Sequence, residues 1–116
     1  MATRRQCELA LRQLASWLDQ VDPEVRRRRV PARTVSLLVP DLDLAYRGVL
    51  DADGLREVVP VPPVQAMSAQ VRFRADSDEV VNIGRRPAAF VPALAQGRVR
   101  VHAGLRDLLE LRRFVM

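Results

Sequence analysis

The chain has 116 residues, of which 48% are hydrophobic and 28% charged, and a formal net charge of +5. This length suits one domain, and the balance of apolar and charged residues argues against a disordered chain. No apolar run approaches the roughly 20 residues of a membrane span, and the start, MATRRQCELA, has no secretory signal pattern. We therefore expect a single cytoplasmic domain over residues 1–116.

The first half of the chain predicts one helix followed by three strands. Apolar residues recur at helical spacing from Thr3 to Val21, and Thr3 suits an N-cap. The run of four arginines at 26–29 suits a solvated helix end, with phosphate contact as the alternative. Segments 34–39, 42–50 and 54–59 alternate as strands of an antiparallel meander. The proline-rich segment 60–64 predicts a connection, because proline donates no backbone hydrogen bond to a ladder.

The second half predicts two further strands and three helices. Residues 69–75 alternate, with the side chain of Phe73 inward and Arg72 and Arg74 outward. A short helix capped by Asp76 or Ser77 is expected to end at Gly84. An apolar segment over 88–95, bent or divided at Pro92, precedes a strand over 98–103 and a leucine-rich helix over 105–115.

These elements predict an α+β fold. About five strands form one mostly antiparallel sheet, with helices on one face and solvent on the other. The outward arginines of two strands, Arg72 and Arg74 with Arg98 and Arg100, predict a basic sheet face. That face lacks the aromatic side chains that nucleic-acid-binding sheets use for stacking, so a solvated face is favoured over a nucleic-acid site.

The sequence contains few of the groups that enzymes use. Cys7 is the only cysteine and His102 the only histidine, which excludes an internal disulfide and a multi-ligand Cys/His zinc site. There is no phosphate loop, dinucleotide glycine pattern or nucleophile elbow. Paired aspartates at turns, such as Asp41 and Asp43, are typical turn formers. We therefore expect no cofactor, no metal and no catalytic residue.

The last forty residues carry a resemblance to a known family. The stretch DSDEVVNIGRRPAAFVPALAQGRVRVHAGLRDLLELRRF, residues 76–114, combines a short helix, a glycine-containing turn, an apolar helix, a Gly-basic-apolar alternation and a closing leucine-rich helix. This order resembles the lipid-binding domain of the sterol carrier protein family, in its short, single-domain bacterial form. The arginine-only basic composition fits an actinobacterial source. The chain departs from the family pattern after the alternating strand, where Ala103 precedes Gly104.

The resemblance implies a five-stranded sheet with helices on one side and an apolar tunnel between them, which carries fatty acids, acyl chains, sterols or other apolar molecules without chemistry. Arg112 falls inside the apolar stripe of the last helix, where it either extends its head into water or pairs with an acidic ligand group. The residues expected to line the tunnel are Phe73, Val80, Ile83, Phe90, Leu94, Leu105, Leu108 and Leu111.

Four alternatives stay open at this stage. An enzyme or accessory protein could use the same cavity, with Tyr46, Asp43 and Arg112 as candidate groups. Contact with an anionic membrane surface during ligand exchange is a second, and nucleic acid is a less favoured anionic partner. The apolar last helix would also suit packing against a second copy of the chain.

Overall fold

A five-stranded sheet forms the centre of the molecule, in the order β3-β2-β1-β4-β5. The computed structural model describes residues 1–20, 32–51 and 54–103. The predicted last helix and the run of four arginines therefore lie outside the described residues. The strands are β1 (Arg33–Val39), β2 (Leu44–Asp51), β3 (Gly54–Val61), β4 (Val71–Ala75) and β5 (Val99–Ala103).

The pairing of the strands confirms the predicted α+β class and the meander. β1 pairs antiparallel with β2, β2 with β3, and β4 with β5, whereas β1 and β4 run parallel. Leu37 stands opposite Tyr46 in β2 and beside Phe73 in β4, and Phe73 stands opposite Val101 in β5. Because side chains alternate along a strand, these four side chains share one face of the sheet.

Helices cover that inward face. They are α1 (Arg4–Asp19), α3 (Ser77–Arg85) and α4 (Phe90–Ala95), with 3-10 turns at Pro40–Leu42 and Pro87–Ala89. The N-cap predicted at Thr3 is confirmed as a capping box: the Gln6 amide donates to Thr3 Oγ1 at 3.2 Å, and the Thr3 amide donates to Gln6 Oε1 at 2.8 Å. The core joins α1, α3 and α4 to the sheet through the buried residues Cys7, Ala10, Val39, Ala75, Val80, Ile83, Ala93 and Val99.

Gly84 does not end its helix as predicted. α3 continues to Arg85, and Gly84 is buried against Ala10 of α1. A Cβ atom at position 84 would lie 2.5 Å from the Ala10 Cβ and 2.6 Å from its Cα. The glycine is therefore a contact point that lets two helices approach closely.

Proline placement also differs from the prediction. β3 continues through Pro60 to Val61, and Pro60 stands opposite Tyr46. This is possible because β3 is an edge strand, where a missing N–H leaves no interior partner unsatisfied. Pro92 does not divide the apolar segment, since the break falls between Ala89 and Phe90 and Pro92 occupies the first turn of α4.

The outer face of the sheet is not fully solvated, in contrast to the prediction. The segment expected to be a simple connection forms a short helix, α2 (Pro63–Ala66), on this face. Ser36 points away from the inward Leu37 and donates its hydroxyl hydrogen to the Ala66 carbonyl at 2.8 Å. Ser36 and Ala66 are both buried, so α2 covers the middle of the outer face.

Candidate functional site

A cavity of about 520 Å³ lies between the helices and the inward face of the sheet. Its lining among the described residues is almost wholly apolar. α1 contributes Leu11, Leu14 and Trp17. The remaining lining residues come from the sheet and from the segment 80–91: Val35, Ser36, Leu37, Tyr46, Arg47, Gly48, Leu50, Leu55, Val58, Phe73, Ala75, Val80, Ile83, Pro87, Ala88, Phe90, Val91 and Val99.

Two aromatic rings from different elements meet in the cavity wall. Phe73 of β4 and Phe90 of α4 have ring centroids 5.9 Å apart and planes inclined at 66°. This edge-to-face geometry is favourable for aromatic pairs. It joins the end of the helical layer to the sheet and fixes the position of two rings that face the cavity.

Part of the cavity lining reaches solvent. Trp17 and Val91 both line the cavity, and each side chain is 42% exposed. Large apolar side chains are usually buried when space allows. These two therefore define an apolar rim, one from α1 and one from α4.

Tyr46 brings a polar group to the otherwise apolar wall. It is only 3% exposed, and its hydroxyl lies 3.5 Å from Glu8 Oε1, which also accepts a hydrogen bond from Arg4 Nε at 3.1 Å. Burial, followed by the nearby Glu8 charge, raises the pKa of Tyr46 above its ordinary value. The phenol is therefore protonated at neutral pH and is suited to hydrogen bonding.

A second polar cluster lies outside the cavity lining and holds the start of α3 in place. The Ser77 amide donates to Asp41 Oδ1 at 3.0 Å, its hydroxyl donates to Asp41 Oδ2, and the Ala2 amide donates to Ser77 Oγ at 3.0 Å. The Ser77 hydroxyl bond is the main cause of a pKa of Asp41 below its ordinary value. The cap was expected from Asp76 or Ser77. The side chain of Asp76 makes no capping bond, and Asp41 instead accepts the hydrogen bond of the Ser77 amide.

The predicted site residues fall into three groups. Phe73, Val80, Ile83 and Phe90 lie in the cavity wall. Leu94 does not line the cavity and packs against the core instead. The predictions for Leu105, Leu108, Leu111 and Arg112 lie outside the described residues. Contact of any of these residues with a ligand stays a prediction.

The sequence-based prediction missed the contributions of α1 and of the meander. Leu11 and Leu14 belong to the apolar residues that recur at helical spacing from Thr3 to Val21, but such a stripe alone does not distinguish core packing from a cavity wall. The alternation over 42–50 predicts one shared face for Leu42, Leu44, Tyr46, Gly48 and Leu50. Of these, Tyr46, Gly48 and Leu50 line the cavity. The missing information was the distance between α1 and these strands.

The candidate catalytic groups do not come together in the described residues. Tyr46 lines the cavity, whereas Asp43 is exposed at the turn before β2, in the left-handed conformation with φ of 51°. His102 is exposed on the outer face, opposite Arg72. Within residues 1–20, 32–51 and 54–103, no cluster of three or more His, Cys, Asp or Glu side chains could hold a metal ion.

The basic outer face is partly as predicted. Arg74 stands opposite Arg100, and Arg72 lies beside Arg74 on the same strand face. Arg98 does not join them, because it precedes β5 and its Nε lies 3.4 Å from Glu79 of α3. No aromatic side chain occupies an outward strand position in the described part of the sheet.

No family model matches the sequence, and no curated protein does. Solved structures do match. Sterol Carrier Protein 2 Like 2 from Aedes aegypti has a TM-score of 0.56 at 14% identity, over 92% of this chain and 95% of that one. The ubiquinone synthesis protein UbiJ-SCP2 has a TM-score of 0.57 at 12% identity, over 99% of this chain and 93% of that one.

A third similar structure is an enzyme. The inverting sec-alkylsulfatase Pisa1 from Pseudomonas sp. matches with a TM-score of 0.54 at 20% identity over 88% of this chain. The chain spans only 14% of the length of that enzyme, in contrast to the near-complete coverage of the two others. The protein therefore has the sterol carrier protein fold, which occurs both alone and as a small part of a larger chain.

None of the helices in the described part of the chain combines the length and the apolar character that a membrane span requires.

Proposed function

We propose that this protein binds and carries an apolar small molecule, such as a fatty acid, another acyl chain or a sterol-like or polyketide-like lipid. The observation that carries the proposal is the cavity. Its volume of about 520 Å³ falls in the range of about 300–1,000 Å³ of small-ligand sites, and its lining is apolar with few polar groups. Protein interiors otherwise contain few voids larger than a water molecule.

The similar structures support a lipid as the ligand class. Sterol carrier protein 2 like 2 from Aedes aegypti has been solved in a palmitated form, and this chain matches it with a TM-score of 0.58 at 15% identity. Sterol Carrier Protein 2 from the same organism has been solved in complex with palmitate. Palmitate is therefore a reasonable first probe for the cavity described above.

A second candidate function is presentation of an apolar compound to an enzyme. The occurrence of this fold as 14% of the alkylsulfatase chain favours it. Tyr46 is the buried polar side chain that would stand nearest to such a compound. If the chain itself catalysed a reaction, Tyr46→Phe would abolish turnover of that compound while leaving its binding measurable.

The exposed rim suggests where a ligand enters. Trp17 and Val91 offer apolar contact, and the exposed residues Arg85 and Arg86 directly precede Pro87 of the cavity lining. Exchange of ligand at an anionic membrane surface would use both features. We propose this route of exchange. We also propose that the protein resides in the cytoplasm and assembles into a homodimer.

Two variants of α1 test the carrier function. Leu11 lines the cavity, whereas Leu9 is 53% exposed and does not. A tryptophan at position 11 would take up cavity volume, so Leu11→Trp should weaken palmitate binding at least about tenfold. Leu9→Trp adds the same side chain to the same helix and should bind as the wild type does.

Native mass spectrometry of protein purified without detergent and then loaded with palmitate measures the bound fraction. Urea unfolding checks that both variants are folded. A wild-type protein that takes up no palmitate and carries no apolar adduct from the host would contradict the proposal. Equal palmitate binding by the two variants would show that the ligand lies outside this cavity.

A further inference from the structure

The hydroxyl of Tyr46 stands at the boundary between the cavity and the first turns of α1. Tyr46 is opposite Leu37 on the inward face of the sheet and belongs to the cavity lining. Its hydroxyl reaches Glu8, and Leu11, three residues along the same helix face, lines the cavity. A ligand that fills the cavity therefore meets Tyr46, whose hydroxyl is in turn in contact with Glu8.

The contact between Tyr46 and Glu8 determines whether the Tyr46 hydroxyl can act as a donor or as an acceptor toward a ligand. An ionised carboxylate accepts hydrogen bonds and donates none, so the Tyr46 hydroxyl is the donor in its contact with Glu8 Oε1. Arg4 Nε donates to the same oxygen at 3.1 Å and keeps Glu8 in place. While its hydrogen points to Glu8, the Tyr46 oxygen offers a ligand lone pairs.

We infer that Tyr46, held by Glu8, selects apolar ligands that end in a hydrogen-bond donor, such as a hydroxyl group, over ligands that end in an ionised carboxylate. A hydroxyl donates to the Tyr46 oxygen, whereas a carboxylate has no hydrogen to donate. This inference rests on the proposed function, since it concerns the ligand of the same cavity.

The other polar lining groups are less suited to this selection. Arg47 belongs to the lining but stands opposite Ser36, so its side chain lies on the outer face of the sheet, away from the inward Tyr46. The Ser36 hydroxyl donates to the Ala66 carbonyl on the opposite face of the sheet. Trp17 carries an indole N–H but is 42% exposed, so water can replace a ligand there at little cost. Tyr46 is 3% exposed, and an unpaired polar group of a ligand beside it would lack water.

Three ligands of one chain length separate the effect of a hydroxyl end group from those of an ether and a carboxylate. They are 1-dodecanol, its methyl ether 1-methoxydodecane, and dodecanoate at pH 8. The emission of Trp17, the single tryptophan of the chain and part of the cavity wall, reports binding. In the wild type, dodecanol should bind about fivefold tighter than the ether, which is the typical net effect of one hydrogen bond. Dodecanoate should bind more weakly than dodecanol.

Two variants test the roles of Tyr46 and Glu8 in this selection. Tyr46→Phe keeps the ring and removes the oxygen, so the ratio of dodecanol to ether affinity should fall to about one. Glu8→Gln replaces the carboxylate by an amide that can donate to the Tyr46 oxygen, which frees the phenol hydrogen for the ligand. This variant should therefore gain affinity for the ether and for dodecanoate relative to dodecanol.

The outcomes separate the two proposals. If none of the three ligands binds to the wild type, the proposed function fails. If the ligands bind but dodecanol and the ether bind equally, or if Tyr46→Phe keeps the preference, the inference is overturned and the carrier function stands. Should Tyr46→Phe fail to fold, an unchanged order of affinities in Glu8→Gln overturns the inference as well.

Discussion

The close contact between α1 and α3 makes an unusual prediction for the substitution Gly84→Ala. Gly84 lies inside α3, and alanine is favoured over glycine in a helix interior by about 1 kcal/mol. Helix propensity alone therefore predicts a more stable protein. The structure predicts the opposite, because the added methyl group has no space beside Ala10.

The size of the effect follows from the distances. The new Cβ would lie 2.5 Å from the Ala10 Cβ and 2.6 Å from its Cα, whereas carbon atoms pack best at about 3.5–4.0 Å. The two helices would have to separate by about 1 Å. Overpacking of this kind costs about 1–3 kcal/mol, and the obstacle here is main chain, which places the cost at the upper end. After the propensity gain is subtracted, Gly84→Ala should lose about 1–2 kcal/mol of unfolding free energy.

Urea unfolding followed by circular dichroism measures this loss. Asn82→Ala on the exposed side of the same helix is the matched control, and it should gain a few tenths of a kcal/mol. The double variant Ala10→Gly with Gly84→Ala should recover only part of the loss, because the Cα of residue 10 stays at 2.6 Å. Since α1 carries three lining residues, palmitate binding should weaken together with stability.

A Gly84→Ala protein as stable as the wild type, or more stable, would refute this reasoning. Such a result would mean that α1 and α3 do not meet at Ala10 and Gly84. The wall that α1 gives to the cavity would then have to be redrawn. A loss in Gly84→Ala that is matched by an equal loss in Asn82→Ala would instead point to a general sensitivity of α3.

Two further predictions concern groups outside the cavity lining. The pKa of Asp41 is lowered by its bonds from Ser77, so the stability that these bonds contribute is present above the ordinary value of 3.8 and is lost as the pH falls through the lower folded value. In acid titrations followed by urea unfolding, Asp41→Asn should lack this part of the loss below about pH 3.8, and an identical acid profile would contradict the assignment. Cys7 is fully buried, and burial raises the pKa of its thiol. Its reaction with a thiol reagent at pH 8 should therefore follow global unfolding across a urea series, and fast reaction in the absence of urea would be inconsistent with this packing.

The alternation of polar and apolar residues was sufficient to predict the sheet. It placed Phe73 on the inward face, and the register of β4 against its neighbouring strands confirms this. Alternation is a local property with a period of two, so it does not depend on which elements pack against the sheet. The N-cap at Thr3 was predictable because it is also local: Thr3 and its partner Gln6 lie three positions apart.

The errors concern contacts between residues far apart in the chain. Gly84 resembles a helix C-cap in sequence, and only the approach of Ala10, more than seventy positions earlier, reveals its role. Asp41 resembles a simple turn former, yet it caps α3 through Ser77. In both cases a small or polar residue allows more than one local interpretation, and a distant partner decides between them.

The position of Pro60 shows a related ambiguity. Proline was expected to end the strand because it cannot donate to a ladder. That argument holds for a central strand, but the order of strands places β3 at an edge. Which strand becomes an edge depends on the topology of the whole sheet, and no pattern within residues 54–61 encodes it.

The cavity itself depends on volume, which no periodic pattern specifies. Its floor includes two small residues, Gly48 and Ala75, and a Cβ added at Gly48 would lie 3.1 Å from Val58 Cγ2. Gly48 stands opposite a bulge where β3 has two residues, Glu57 and Val58, against one in β2.

Small floor residues lower the sheet surface beneath the helices, while the Phe73–Phe90 pair keeps α4 in contact with the sheet at a fixed distance. The same apolar residues would form a closed core if α1 lay closer to the sheet. The contact of Gly84 with Ala10 fixes α1 on α3, and so it is this helix pair, more than the composition of the lining, that determines how much space is left for a ligand.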